Sequence, residues 1–285
     1  MKKLLALMLA LVMVFALAAC GESGGQPSAQ PSAAADEPTT EPSAAAESDL
    51  AYVQGKGTLV VGITEFEPMD YQEEGSDEWI GFDADLAKAF AESLGVEAQF
   101  QVIDWDNKVM ELDGKTIDVV WNGMTLTDEV KSAMECSNAY MNNAQVVILP
   151  SAEAETYPDA ASMSELTFAV ESGSAGMDMA IENGFNYIEV ADQATAVLEV
   201  ESGTCDAAII DSLMAAAMVG EGTSYADLTY TISLNSEEYG VGFRKGSDMC
   251  QALNDFLVSA WDDGTIADLG ETYGVTAALI EQTAA

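Results

Sequence analysis

From residue 58 onward, hydrophobic and polar positions repeat with two alternating periods. "TLVVGI" (58–63) is a short β-branched run, the pattern of a buried strand. "DADLAKAFAESLG" (83–95) then places apolar residues at helical spacing, with Asp83 at its start and Gly95 at its stop. The exchange continues through a strand at 96–103, a short helix "NKVMELDG" at 107–114, a buried strand "IDVVW" at 117–121 and "AQVVIL" at 144–149. It restarts with "LTFAV" (166–170), a helix after "SGSAG" (172–176), "YIEV" (187–190), a helix "QATAVLEVESG" (193–203), "DAAII" (206–210) and a helix from Asp211. "LTYTISL" and "YGVGFR" follow, and then three helical stretches to the end. Strands alternating with helices predict an α/β chain built on mostly parallel sheets flanked by helices. Two such rounds, joined near Ile148-Leu149-Pro150 and followed by a late strand at 239–244, predict two lobes.

In open α/β sheets, ligands sit beyond the carboxyl ends of the strands. The loops expected to carry a site are therefore 64–70, 104–107, 122–127, 172–176 and 211. "NGMTLTDEVK" (122–131) reads as a strand end turning into a helix, capped by Thr125 or Thr127, with Asp128 and Glu129 in the first turn. Such a start presents free backbone N–H groups and suits an anion. Yet no arginine follows it, and Arg244 is the only arginine in the chain.

Composition narrows the chemistry. Of 285 residues, 49 are acidic and 9 basic, for a formal net charge of −40. That argues against nucleic acid as a partner, because phosphates demand cations. There is no histidine. The commonest general base, the commonest transition-metal ligand and every histidine-dependent triad are thereby removed. Besides Cys20, the cysteines Cys136, Cys205 and Cys250 are odd in number and form no C-x-x-C pair, so they read as buried free thiols. Asp83 and Asp85 read as first-turn acids that complement a helix dipole rather than as a divalent-ion site. Glu65, Glu67 and Asp70 read as a mostly solvated face. No metal or cofactor is expected.

The N-terminus carries Lys2 and Lys3 before an apolar run ending in Leu17-Ala18-Ala19-Cys20. Length and flanks suit a secretory signal over residues 1–19 rather than a membrane span. The run's end resembles the bacterial lipobox, which implies acylation of Cys20 and removal of what precedes it. One lipidated cysteine anchors a protein to a membrane surface without spanning it. From Cys20 to residue 48 the chain is rich in Gly, Ser, Pro, Ala and acids and lacks aromatic or large aliphatic residues, which predicts a disordered tether.

Six segments, "GFDADLAKAFAESLG" (81–95), "IDVVWNGMTLTDE" (117–129), "NAYMNNAQVVIL" (138–149), "VESGSAG" (170–176), "GTCDAAIID" (203–211) and "DGTIADLGETYG" (263–274), occur in the order and spacing of one family. The chain resembles the bacterial extracellular solute-binding proteins of family 3, the polar-amino-acid receptors of ATP-driven (ABC) importers. The resemblance implies a two-lobed periplasmic-binding-protein fold of type II, hinged between lobes. Lobe 1 would comprise residues 49–148 and 239–285, and lobe 2 residues 149–238. It further implies a monomer on the extracytoplasmic face of the cell membrane, held by its lipid anchor, that delivers a small solute to a permease without catalysis.

Carried over position by position, the resemblance makes Asp211 the carboxylate that receives the ligand's ammonium. The competing local role for Asp211 is to cap the helix that follows. Thr125 matches a hydroxyl contact and Gly123 a backbone carbonyl contact. Ser174 and Ala175 match anion contacts at a helix start, Phe66 an aromatic over the ligand, and Trp105 a wall residue. The family's carboxylate-clamping arginine is here Val130, and Met69 stands where an aromatic often follows Pro68. Three accounts of Val130 remain open. Backbone N–H groups carry a ligand carboxylate alone, Lys131 or Arg244 reaches in, or the solute is an amine without an α-carboxylate. An amino acid is the leading expectation. A dehydratase-like enzyme on the same fold and a ligand-free surface adhesion or sensor protein are the rivals from other classes.

Overall fold

The computed structural model describes residues 48–284. The expected leader, Cys20 and nearly all of the expected tether lie outside them. In chain order the elements begin with α1 (Asp49–Lys56), β1 (Thr58–Ile63), β2 (Tyr71–Gln72), β3 (Trp79–Ile80), α2 (Phe82–Ser93) and β4 (Glu97–Val102). Next come α3 (Lys108–Asp113), β5 (Val119–Thr125), α4 (Asp128–Ala133), β6 (Glu135–Cys136), β7 (Met141–Asn143) and β8 (Gln145–Pro150). Then follow β9 (Thr167–Glu171), α5 (Ala175–Asn183), β10 (Asn186–Val190), α6 (Gln193–Glu201), β11 (Ala207–Asp211) and α7 (Ser212–Met218). The described chain closes with β12 (Leu228–Ser233), β13 (Glu237–Phe243), α8 (Met249–Asp262) and α9 (Thr265–Thr272). The third helical stretch expected at the end is only a 3-10 turn, Thr276–Ala278. The alternation reading missed α1 and the β2–β3 hairpin.

Two larger sheets organise these elements. The first runs β4-β1-β5-β13-β6, with β7 also paired to β13, and the second runs β10-β9-β11-β8-β12. Both are mixed rather than mostly parallel. β4, β1 and β5 are parallel, as are β10, β9 and β11, while β13 pairs antiparallel with β5, and β8 antiparallel with β11. The reversal has a topological cause. β8 and β13 enter their sheets from the neighbouring one without the helical crossover that a parallel strand requires. The join expected near Ile148–Pro150 falls inside β8, which pairs along its length with β11 and β12.

Helix formation follows the apolar spacing. α2 buries Phe82, Leu86 and Phe90, and Phe90 packs against Trp121 of β5 with ring centroids 6.2 Å apart. Each large apolar side chain fully buried in this way contributes roughly 1.5–3 kcal/mol. Ser48 caps α1, accepting from the Ala51 N–H, and Gly57 ends it in the left-handed region. Cys205 and Cys250 are buried free thiols, as expected, whereas the free thiol of Cys136 is only partly covered. Arg244 is buried in a structural role. Its Nε donates to Asp49 at 2.9 Å and its Nη1 to the carbonyls of Leu112 and Ile117. It ties α1 to the end of α3, so it is not free to reach a ligand.

Candidate binding site

The carboxyl ends of β5, β9 and β11 converge with the 3-10 turn Trp105–Asn107 and the starts of α3, α4, α5 and α6 around a cavity of about 190 Å³. Four of the five loops named by the strand-end rule line it; the loop at 64–70 does not. Trp105, Gly123, Thr125, Ser174, Ala175 and Asp211 all border the cavity. Phe66 is not among the lining residues. It is buried edge-on to Tyr239, with ring centroids 6.4 Å apart, and backs the wall behind Gly123. The physical reason is Gly123 itself. With φ at 53° and no side chain, it lets the Phe66 ring close in from behind, where a Cβ would lie only 2.6 Å from the ring.

Asp211 ends β11 in full burial. It stands at the N-cap of α7, but its side chain makes no capping bond there. Its carboxylate instead accepts hydrogen bonds from Asn143 Nδ2, Gln145 Nε2, Gln193 Nε2 and Tyr239 OH, the second and fourth at 2.9 and 2.8 Å. Burial, and then the nearby charge of Glu237, push its pKa up to about 8. Glu237 belongs to the same web. Its Oε1 accepts from Thr125 Oγ1 at 2.9 Å, Asn143 Nδ2 at 2.7 Å and Gln145 Nε2 at 2.8 Å.

Glu171 is the group that reading the sequence missed. It ends β9, it is 2% exposed, and its Oε1 has no hydrogen-bond partner although it borders the cavity. Burial, and then the charge of Asp211, push it up to about 8 as well. A signal for it existed. Glu171 occupies a strand's carboxyl end just before a turn, which is the same placement that singled out Asp211. Gln193, Lys108, Asn143 and Gln145 had no comparable signal, because their importance arises only from which partners they meet.

The anion side of the cavity is sparse. Val130 borders it as an apolar wall, and Lys131 is exposed outside it. Thr127, not Thr125, caps α4 by accepting from the Val130 N–H at 3.1 Å. Ser174 caps α5, its Oγ accepting from the Met177 N–H at 3.2 Å. Lys108 is the one cation among the lining residues. Its Nζ donates to the carbonyls of Trp105 (3.2 Å) and Gly173 (2.9 Å) and lies 4.9 Å from the Trp105 ring centre. Burial holds its pKa below the usual lysine value. Gly173, at φ 69°, passes so close to Asp106 that a Cβ would lie 2.8 Å from that residue's Cα. The Lys108–Gly173 bond therefore joins the α3 side of the cavity to the β9–α5 turn.

Two acids lie beneath the floor. Asp83 accepts from the Gly123 N–H at 2.6 Å and from Tyr140 OH at 2.8 Å, and Asp70 accepts from Asn122 Nδ2 at 2.8 Å. Both are fully buried, so Asp83 is more than a first-turn dipole partner and Asp70 is no part of a solvated face. Burial raises Asp83 to about 7, and burial together with Asp83's charge holds Asp70 well above the carboxylate range. No cluster of metal-ligating side chains exists among the described residues.

This arrangement, a cavity between two sheets at the carboxyl ends of their parallel strands with a buried aspartate facing in, is that of a two-lobed solute receptor. Residues 59–276 match the bacterial extracellular solute-binding proteins, family 3, and the chain belongs to that family. It is similar to the arginine-binding extracellular protein ArtP of Bacillus subtilis, 30% identical over 279 residues that cover 94% of this chain and 96% of ArtP. A solved ABC uptake transporter substrate-binding protein from Streptococcus pneumoniae with bound histidine superposes with a TM-score of 0.73, at 28% identity over 82% of this chain and 99% of that one. The ancestral amino acid-binding protein AncCDT-1, a precursor of cyclohexadienyl dehydratase, gives a TM-score of 0.72 at 29% identity, over 79% and 99% of the two chains. The family is one of extracellular binding proteins, and among the described residues no helix is long and apolar enough to cross a membrane.

Proposed function

We propose that this protein captures a small amine-bearing solute between its lobes and passes it to the permease of an ABC importer. One observation carries the reading: Asp211, buried at a strand end, is oriented by four side-chain donors toward a cavity that an ammonium would fill. A desolvated carboxylate attracts a cation strongly, and an arriving ammonium would favour the ionised form of a carboxyl that burial holds up at about 8. The names of relatives put amino acids first among solutes. Val130 and the commitment of Arg244 to Asp49 favour a second reading, an amine without an α-carboxylate. Trp105, Gly123, Thr125, Ser174 and Ala175 are the proposed surrounding contacts, and Phe66 supports the wall from behind.

In this reading the lobes close by a hinge where the chain passes between the two sheets, and the closed state is what the importer recognises. The pairing of β8 and β13 supports crossings near residues 143–145 and 234–237. The protein acts as a monomer, without turnover, tethered through an acylated Cys20. A dehydratase-like activity would need a placed acid–base pair, and the chain has no histidine, the commonest such group. A thermal-shift screen of amino acids and amines tests the reading, since a ligand at a hundredfold excess over its Kd stabilises by about 3 kcal/mol. Stabilisation by anions but by no amine would refute it.

A further inference from the structure

We infer that Asp211 and Glu237 share one proton, and that Glu237 is the positioning residue through which Asp211 gives that proton up when an ammonium binds. The pair is a property of the ligand-free chain; only its response to a solute rests on the ammonium-capture reading above. Two amides bridge the acids. Asn143 Nδ2 donates both to Asp211 Oδ1 and to Glu237 Oε1, the latter at 2.7 Å, and Gln145 Nε2 donates to the same two oxygens at 2.9 and 2.8 Å. An amide nitrogen carries two N–H groups, so each amide offers one to either acid. Two oxygens gripped by the same pair of nitrogens lie face to face, within hydrogen-bonding reach of each other. Two carboxylates this close repel, and among the described residues neither acid has an ion-pair partner. One proton between the oxygens turns the repulsion into a hydrogen bond, and the two carboxyls then titrate as a unit.

The two acids differ in access. Asp211 is buried, whereas Glu237 is half-buried and lines the open cleft beside the cavity. Glu237 is also fixed where the chain crosses between the sheets. Its Oε2 accepts from Asn235 Nδ2 at 2.8 Å, and Asn235 Oδ1 accepts from the Gln145 N–H at 2.7 Å, so the approach to β13 and the start of β8 hold it together. The ionisable groups around the pair are Tyr239 from β13, Glu171 from β9, Asp192 ahead of α6, Glu129 and Asp178 from the first turns of α4 and α5, and Lys108 from α3. Lys108 is the one cation among these, and its bonds go to the Trp105 and Gly173 carbonyls rather than to the pair. An ammonium at Asp211 therefore brings the positive charge that the shared proton had supplied. The O–H bond of the pair breaks, both groups become carboxylates, and the proton passes from Glu237 to solvent in the cleft.

The test is carboxyl carbon NMR of the isotope-labelled, ligand-free protein across the neutral and mildly alkaline range. The Asp211 and Glu237 resonances should move together, with a midpoint near 8. Glu237→Gln keeps the shape and removes the proton partner, so the Asp211 midpoint should fall by about one pH unit or more. Glu237→Asp should restore joint titration. Thermal melting of each variant shows that it is folded, and the wild-type spectrum decides the matter by itself if one is not. Calorimetry at neutral pH with L-arginine and with methylammonium then reads the coupling: Glu237→Gln should release roughly half as many protons as wild type, or fewer. Separate midpoints for the two acids, or an Asp211 midpoint unmoved in Glu237→Gln, would overturn the pair and leave ammonium capture standing. Joint titration that neither amine shifts would leave the pair standing and overturn ammonium capture, and with it the role of Glu237 as the proton's exit.

Discussion

Asp211 and Gln193 hold each other twice: Gln193 Nε2 donates to the Asp211 carboxylate, and the Asp211 N–H donates back to Gln193 Oε1 at 2.8 Å. The pair fastens the end of β11 to the first residue of α6. It fixes the direction of the carboxyl at the cavity wall.

Two substitutions separate charge from orientation. Asp211→Asn should cost at least about 2 kcal/mol of binding free energy, the size expected when a buried charge partner is lost. Gln193→Ala should leave the Asp211 N–H buried and unpaired, destabilising the fold by about 1–3 kcal/mol and weakening binding as well. Calorimetry on the folded variants checks both. Unchanged affinity in Asp211→Asn would reduce that residue to a structural role.

The raised carboxyls make stability depend on pH. Asp211 and Glu171 stand near 8 and Asp83 near 7 in the folded chain, against ordinary values of 3.8 for Asp and 4.5 for Glu. Folding therefore takes up protons between about pH 4 and pH 8. The stability contributed is full below the ordinary carboxyl range and is lost as the pH rises through the folded values. The ligand-free protein should melt several degrees higher at pH 5.5 than at pH 8. A cationic solute should reverse the preference by drawing protons off, so that its affinity rises from pH 6 to pH 8. Calorimetry in buffers of different ionisation enthalpy reads the released protons directly; none released at pH 7 would contradict the assignment.

Gly123→Ala should be damaging out of proportion to one methyl group. The residue has φ 53°, and a Cβ there would lie 2.6 Å from the Phe66 ring and 3.1 Å from that of Tyr239. Strain of this kind costs about 1–3 kcal/mol. Because Tyr239 OH donates to Asp211 at 2.8 Å, displacing its ring should also lower affinity. Chemical denaturation and calorimetry on the same variant measure the two effects; full wild-type stability would show that the floor yields.

Cys20→Ser should release the protein from membranes or leave its leader uncleaved, with mass spectrometry of the mature N-terminus as the readout. An unmodified, soluble wild-type form beginning elsewhere would rule out the anchor.

What the sequence determined by itself follows from short-range rules. Short β-branched runs and helical spacing place the strands and helices, because both must bury apolar side chains. The strand-end rule then points to Asp211, Thr125 and the "SGSAG" turn from their positions alone. Tertiary structure decided what depends on which groups meet. Phe66 is buried against Gly123 and Tyr239 and Asp70 against Asn122, and Arg244 is spent on Asp49, 195 positions away in the chain. β8 and β13 run antiparallel because the chain enters each sheet from its neighbour. Glu171 becomes a partner of Asp211 only when β9 and β11 lie side by side, and its unpartnered oxygen is a property of the cavity, which no local pattern encodes.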